Sequence, residues 1–192
     1  MPQPTSTIIE EMVAAARGIA AVTVGDRRAP SYFDFSLRGL AGSFIAFLVA
    51  TAFGAYLPTF IGRADTGLPT SRLILMAGLL FAAQLGFSAL ALRQIKRLDG
   101  LLPYLVADNW AAFYVTALSS ILMLVGLPST IAIGIVDILV LVIEINIARV
   151  IVMLGPWQIA MLLIAQLVGV CVGLLVIALV VPLPAAAVAL GP

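Results

Sequence analysis

Residues 131–150 read IAIGIVDILVLVIEINIARV, a run that would serve as a membrane span but for Asp137, Glu144, Asn146 and Arg149. About 20 apolar residues form a helix long enough to cross the roughly 30 Å hydrocarbon layer. A carboxylate near the bilayer centre costs about 2.5–3.5 kcal/mol on insertion scales, so two of them in one span need a reason. On a helix Asp137 and Glu144, seven residues apart, differ by only about 20° in angle and by roughly 10 Å in height. They share a face with Leu141 and Ala148 and are expected to point inward. Arg149 follows Glu144 by five residues, about 140° round the helix. It cannot readily neutralise that carboxylate and is expected to reach the headgroups beyond the helix C-terminus. Asn146 lies on another face.

The rest of the chain supplies the setting. Of 192 residues, 63% are hydrophobic and 10% charged, and mean hydropathy is +1.20. Soluble domains carry about 25% charged residues, so this composition requires most of the surface to face lipid. A net charge of +1 and no basic run argue against a nucleic-acid partner. One cysteine, Cys171, rules out an intrachain disulfide, and the absence of histidine removes the commonest general base and transition-metal ligand.

The sequence therefore predicts an all-α fold, an integral membrane bundle of five transmembrane helices at 39–61, 72–92, 109–126, 129–153 and 157–181. Residues 1–38 form a short N-terminal amphipathic helix and linker, and 183–192 a short tail. Thr7 and Glu10 have capping-box spacing, and Ile9, Met12, Val13, Ala16 and Ile19 share the apolar face, which should rest on the inner membrane surface or on the bundle. Tyr32, Phe33 and Phe35 are expected at headgroup level, as are Trp110 and Tyr114. Asp108 is the expected cap of the third span, and Ser129 or Thr130 that of the fourth. Gly155 should end the fourth span and Pro156 open the fifth.

Arg17, Arg27, Arg28, Arg38, Arg93, Lys96, Arg97 and Arg149 fall on one side of this topology, and only Arg63 and Arg72 on the other. The positive-inside rule then places the N-terminus in the cytoplasm and the C-terminus outside, in a plasma membrane of bacterial inner-membrane type. Small residues at four-residue spacing let helices approach closely. Such stripes are Gly42, Ala46, Ala50 and Gly54 in span one, Gly78, Ala82 and Gly86 in span two, and Ala165, Gly169 and Gly173 in span five. They point to tight internal packing, to a homo-oligomer, or to both.

No HExxH, CxxC pair, GxSxG elbow or Walker-type loop occurs, so the residues suggest no enzyme, no cofactor and no metal site. The opening stretch remains the sharpest signal. Gln84, Gln166, Tyr114, Thr116, Ser119 and Ser120 are the polar side chains that other spans could offer its carboxylates. Together they could make a cation or proton site, or a cavity for a small substrate. The structural alternative is hydrogen-bonded glue between helices, or a contact with a cationic residue of another subunit.

An amphipathic N-terminal segment followed by five spans, with the C-terminus across the membrane, resembles the Yip family of small membrane proteins. The resemblance covers the topology of the whole chain and implies an interaction or membrane-organising role. The expected function is that of a non-enzymatic accessory or scaffold protein, with membrane lipids and either another integral membrane protein or a second copy as partners. The alternative is a small oligomeric transporter coupling substrate to protons or cations through Asp137 and Glu144.

Overall fold

A computed structural model describes residues 7–62 and 69–180. The expected tail at 183–192 and the outer arginine Arg63 lie outside these residues. Six α-helices run in chain order: α1 (Ile8–Thr23), α2 (Leu37–Phe60), α3 (Thr70–Gln94), α4 (Leu101–Leu124), α5 (Ser129–Asn146) and α6 (Pro156–Val180). Among the described residues there is no strand. The five helices α2 to α6 are each long and apolar enough to cross a membrane, which makes this a multi-pass membrane protein with an additional N-terminal helix.

The capping box forms as the spacing requires: the Thr7 hydroxyl accepts from Glu10 N–H, and the Glu10 carboxylate accepts from Thr7 N–H at 2.8 Å. At the far end of α1, Gly25 takes φ +70°. Its N–H reaches Val22 O at 2.9 Å while Asp26 N–H reaches Ala21 O at 2.8 Å, a Schellman closure that favours glycine at this position. The buried face of α1 is Ala15, Gly18, Ile19 and Val22, not the one centred on Ile9 and Val13, which are exposed. Close approach decided this. Phe33 packs so tightly on Gly18 that an added Cβ would lie 2.6 Å from its ring. Phe33 is thus buried under α1.

α1 docks on the bundle through α4 and α5. Tyr114 Oη donates to Met12 O at 2.5 Å, and Asn146 Nδ2 donates to Thr23 O at 3.3 Å. Trp110, stacked on Tyr114 with ring centroids 6.2 Å apart, is only 2% exposed. Both aromatics therefore floor the α1 site.

Glu11 is the strained member of this contact. One carboxylate oxygen, Oε1, is buried without a hydrogen-bond partner. Burial, and secondarily the nearby Asp34 charge, raise its pKa against a lowering by Arg38. A carboxyl raised on folding favours the folded state below its unfolded pKa, near 4.3, and loses that contribution as pH rises through the folded value. Docking of α1 should therefore weaken from pH 4 towards neutrality, and Glu11→Gln should abolish this dependence. At pH 7 the variant should dock more firmly by about 1 kcal/mol, since the site is only partly desolvated. Amide hydrogen exchange along α1 measures both effects.

Two pairings build the bundle: α2 on α4, and α3 on α6. In the first, Ala46 and Ala50 are buried, a Cβ on Gly54 would meet Thr116 at 3.2 Å, and Asn109 Nδ2 donates to Ser43 Oγ at 3.2 Å. In the second, Gly169 and Gly173 sit against Leu80, Ala83 and Gln84, with Ala165 half-buried above them. The stripe of span two does otherwise. Gly78, Ala82 and Gly86 are exposed, and a Cβ on Gly78 or Gly86 would meet nothing within 4 Å.

The fully buried side chains, among them Val22, Leu92, Val106, Ile147 and Leu162, gather where the ends of α1, α3 and α5 meet the starts of α4 and α6. Here the chain departs from the expected boundaries. α4 begins at Leu101, eight residues before 109, because Leu101-Leu102 start an apolar turn and Pro103 falls in the first turn, where no N–H is needed. Asp108 is consequently inside α4 and caps nothing. Pro128 holds the cap position of α5, so neither Ser129 nor Thr130 is the N-cap.

α5 runs on into a π-helical turn, Ile147–Ile151, and Met153, with φ 58°, makes the left-handed turn expected of Gly155. Pro156 does open α6, and Gln158 Oε1 accepts from Gly155 N–H at 3.0 Å. Arg97 closes the end of the π turn from the α3–α4 connection: its guanidinium donates to Val152 O at 2.6 Å and Met153 O at 3.2 Å. Its ion pair with the exposed Asp99, at 3.4 Å, adds little. Arg97→Ala orphans two carbonyls and should destabilise this end by about 1–2 kcal/mol, read as faster exchange of the Leu154 amide, which bonds Ala148 O at 2.9 Å.

Candidate functional site

Four helices contribute polar side chains to one cavity of about 350 Å³. Residues four apart on a helix share a face. Gln84 and Ser88 on α3 and Tyr104 and Asp108 on α4 are such pairs, and both pairs line the cavity. α5 adds Asp137 and Glu144, and α6 adds Gln166. Leucine, valine and Phe81 side chains make up the rest of the wall.

Glu144 is the centre of the hydrogen bonding. Its Oε2 accepts from Tyr104 Oη at 3.1 Å and from Gln166 Nε2 at 3.0 Å. Gln166 Nε2 also lies in short contact with Tyr104 Oη, and Ser88 adjoins the same phenol. The Asp108 carboxyl comes against that of Glu144. The lining residues include no lysine or arginine, so nothing in the wall neutralises these acids. Among the described residues, no three Asp, Glu or Cys side chains converge at a spacing that would hold a metal ion. The cavity offers three carboxyl groups between apolar walls, without a coordination shell.

Asp137 is exposed and lines the edge of this cavity. It also lines a second one, of about 570 Å³, with Ser119, Met123 and Leu127 near the α4–α5 hairpin. The shared Asp137 joins the two spaces along α5. Of the residues singled out in the sequence, Asp137, Glu144, Gln84 and Gln166 come together here. Asn146 instead anchors α1, and Arg149 is exposed beside Gly25. Tyr114 serves α1, while Ser119 and Ser120 turn their hydroxyls to the carbonyls of Val115 and Thr116, both at 2.8 Å.

Tyr104, Asp108 and Ser88 escaped the sequence reading. An acid just before an apolar run reads as a helix cap, and a third span starting at 109 leaves both Asp108 and Tyr104 outside it. The apolar run LLPYLV ahead of it was the signal that the helix starts earlier.

No protein-family model, curated protein or solved structure matches the chain.

Proposed function

We propose that this protein is a small membrane transporter whose cavity binds a small organic cation and exchanges it with protons. The observation that carries the reading is the composition of the cavity wall: three acids, Asp108, Asp137 and Glu144, and no basic residue. An apolar wall with an acidic floor suits an amine bearing hydrocarbon groups, which loses water on entry and regains electrostatic stabilisation from the carboxylates. Phe81 and Tyr104 can add a contribution from their ring faces. Asp108 and Glu144 lie side by side, so a cation and a proton would compete for the same pair of carboxyls. That competition would couple the two ligands. Asp137, between the two cavities, forms the entry.

The test uses the purified full-length chain in proteoliposomes loaded with a pH-sensitive dye, with tetraethylammonium as the probe. An imposed proton gradient should drive tetraethylammonium across, and added tetraethylammonium should move protons the opposite way. Failure of both movements in vesicles that retain folded protein sinks the proposal.

A second reading, that of an accessory or scaffold protein, is favoured by the uncovered stripe Gly78, Ala82 and Gly86 on α3. Such a face accommodates a close neighbouring helix, from a second copy or another membrane protein. The mass of the complex extracted gently from its native membrane separates these: a stoichiometric second protein favours the accessory role.

A further inference from the structure

A third cavity, also of about 570 Å³, opens where the end of α1 meets the end of the π turn, lined by Gly25, Arg27, Pro30, Arg149, Val150 and Met153. The geometry points to a site for the phosphate of an anionic lipid headgroup, held by Arg27 and Arg149. Three observations carry it, none of which involves the acidic cavity.

First, neither guanidinium has a partner among the described residues: no ion pair or hydrogen bond engages Arg27 or Arg149. The neighbouring acid is already committed. Asp26 receives Arg28 Nη2 at 3.0 Å and Nε at 3.2 Å, and these hydrogen bonds hold its pKa below the usual carboxylate range. Arginine forks match phosphate oxygens in pairs, so two unengaged forks around one hollow are suited to that group.

Second, Arg149 lies directly against the turn that ends α1. A Cβ on Gly25 would overlap its guanidinium, so the left-handed glycine that ends α1 also gives this side chain its place. Exposed helix-end carbonyls would repel an anion here, but Arg97 already engages those of Val152 and Met153.

Third, apolar side chains border the hollow beside the two arginines. Pro30, Val150 and the 70% exposed Met153 line it beside the end of a spanning helix, where they could meet the glycerol and upper acyl carbons of a lipid. A soluble phosphate would have no use for them. They select the lipid.

The test is native mass spectrometry of the full-length protein in detergent with added phosphatidylglycerol or phosphatidylcholine. One phosphatidylglycerol should stay bound in preference to phosphatidylcholine. The R27Q/R149Q double variant should weaken its binding about tenfold or more, as expected for loss of charged hydrogen bonds. Thermal melting verifies that the variant is folded, and the milder Arg149→Lys, which keeps the charge but not the fork, should fall between the two. Three results would overturn the site: equal retention of phosphatidylcholine, undiminished phosphatidylglycerol on the folded double variant, or full displacement of the lipid by millimolar inorganic phosphate. The last would assign the same arginines to a soluble phosphate.

Discussion

Gly169→Leu should separate α6 from α3 and unfold the protein at markedly lower denaturant, a loss of about 3 kcal/mol or more. The size follows from what the new side chain meets. Even a Cβ at this position would lie 3.1 Å from Gln84 Cα and 3.2 Å from Ala83 O. These are backbone atoms that no rotamer change can move, so the helices must part. Overpacking typically costs about 1–3 kcal/mol where side chains can yield, and here they cannot. Gly173→Ala should be milder, because its nearest contact, Leu80 Cδ2 at 3.0 Å, is a flexible tip. Gly86→Leu on the same α3 supplies the control. Nothing lies within 4 Å of its added Cβ, so its stability should change by less than about 0.5 kcal/mol. Denaturant titration of helicity in mild micelles ranks the three. Equal losses for Gly169→Leu and Gly86→Leu would mean that the helices pair differently.

The contrast between those glycines shows what sequence periodicity can and cannot report. Three small-residue stripes were equally visible, and five spans followed from hydropathy alone because lipid imposes a length and a polarity on every crossing helix. Which stripe meets a neighbour depends on helix rotation, which composition does not encode: in α3 the face opposite the glycines is the one that packs. Glu144 and Asp137 were legible because a carboxylate among isoleucines is conspicuous. Asp108 was not, because it stands near the start of its helix, where an acid also makes an ordinary cap. The α4 boundary decided between these roles, and that boundary turned on Pro103 in a first turn. The rotation of α1 escaped for a similar reason. Its larger side chains suggested one face, but the small Gly18 allows the closer contact with Phe33.

Glu144→Gln should abolish coupled movement of tetraethylammonium while leaving the bundle folded. Glutamine keeps the size of the side chain and a carbonyl oxygen that can accept from Tyr104 Oη and Gln166 Nε2, as Oε2 does now at 3.1 and 3.0 Å. What is lost is the acid, since glutamine can neither ionise nor exchange a proton. Interactions with a charged partner contribute about 1.5–3 kcal/mol, so affinity for the cation should fall roughly 10- to 150-fold. Asp108→Asn removes the other half of the pair and should leave cation movement less responsive to an imposed proton gradient. Asp137→Asn, at the exposed edge, should slow entry only a few-fold. Glu144→Ala distinguishes transport from simple helix–helix adhesion. If the carboxylate serves only as glue, alanine destabilises the bundle and glutamine restores it together with every measurable activity. If the carboxylate is the binding group, glutamine restores the fold but not the flux. Wild-type flux in the glutamine variant would end the case for Glu144 as the cation site and leave the uncovered face of α3 as the stronger guide to function.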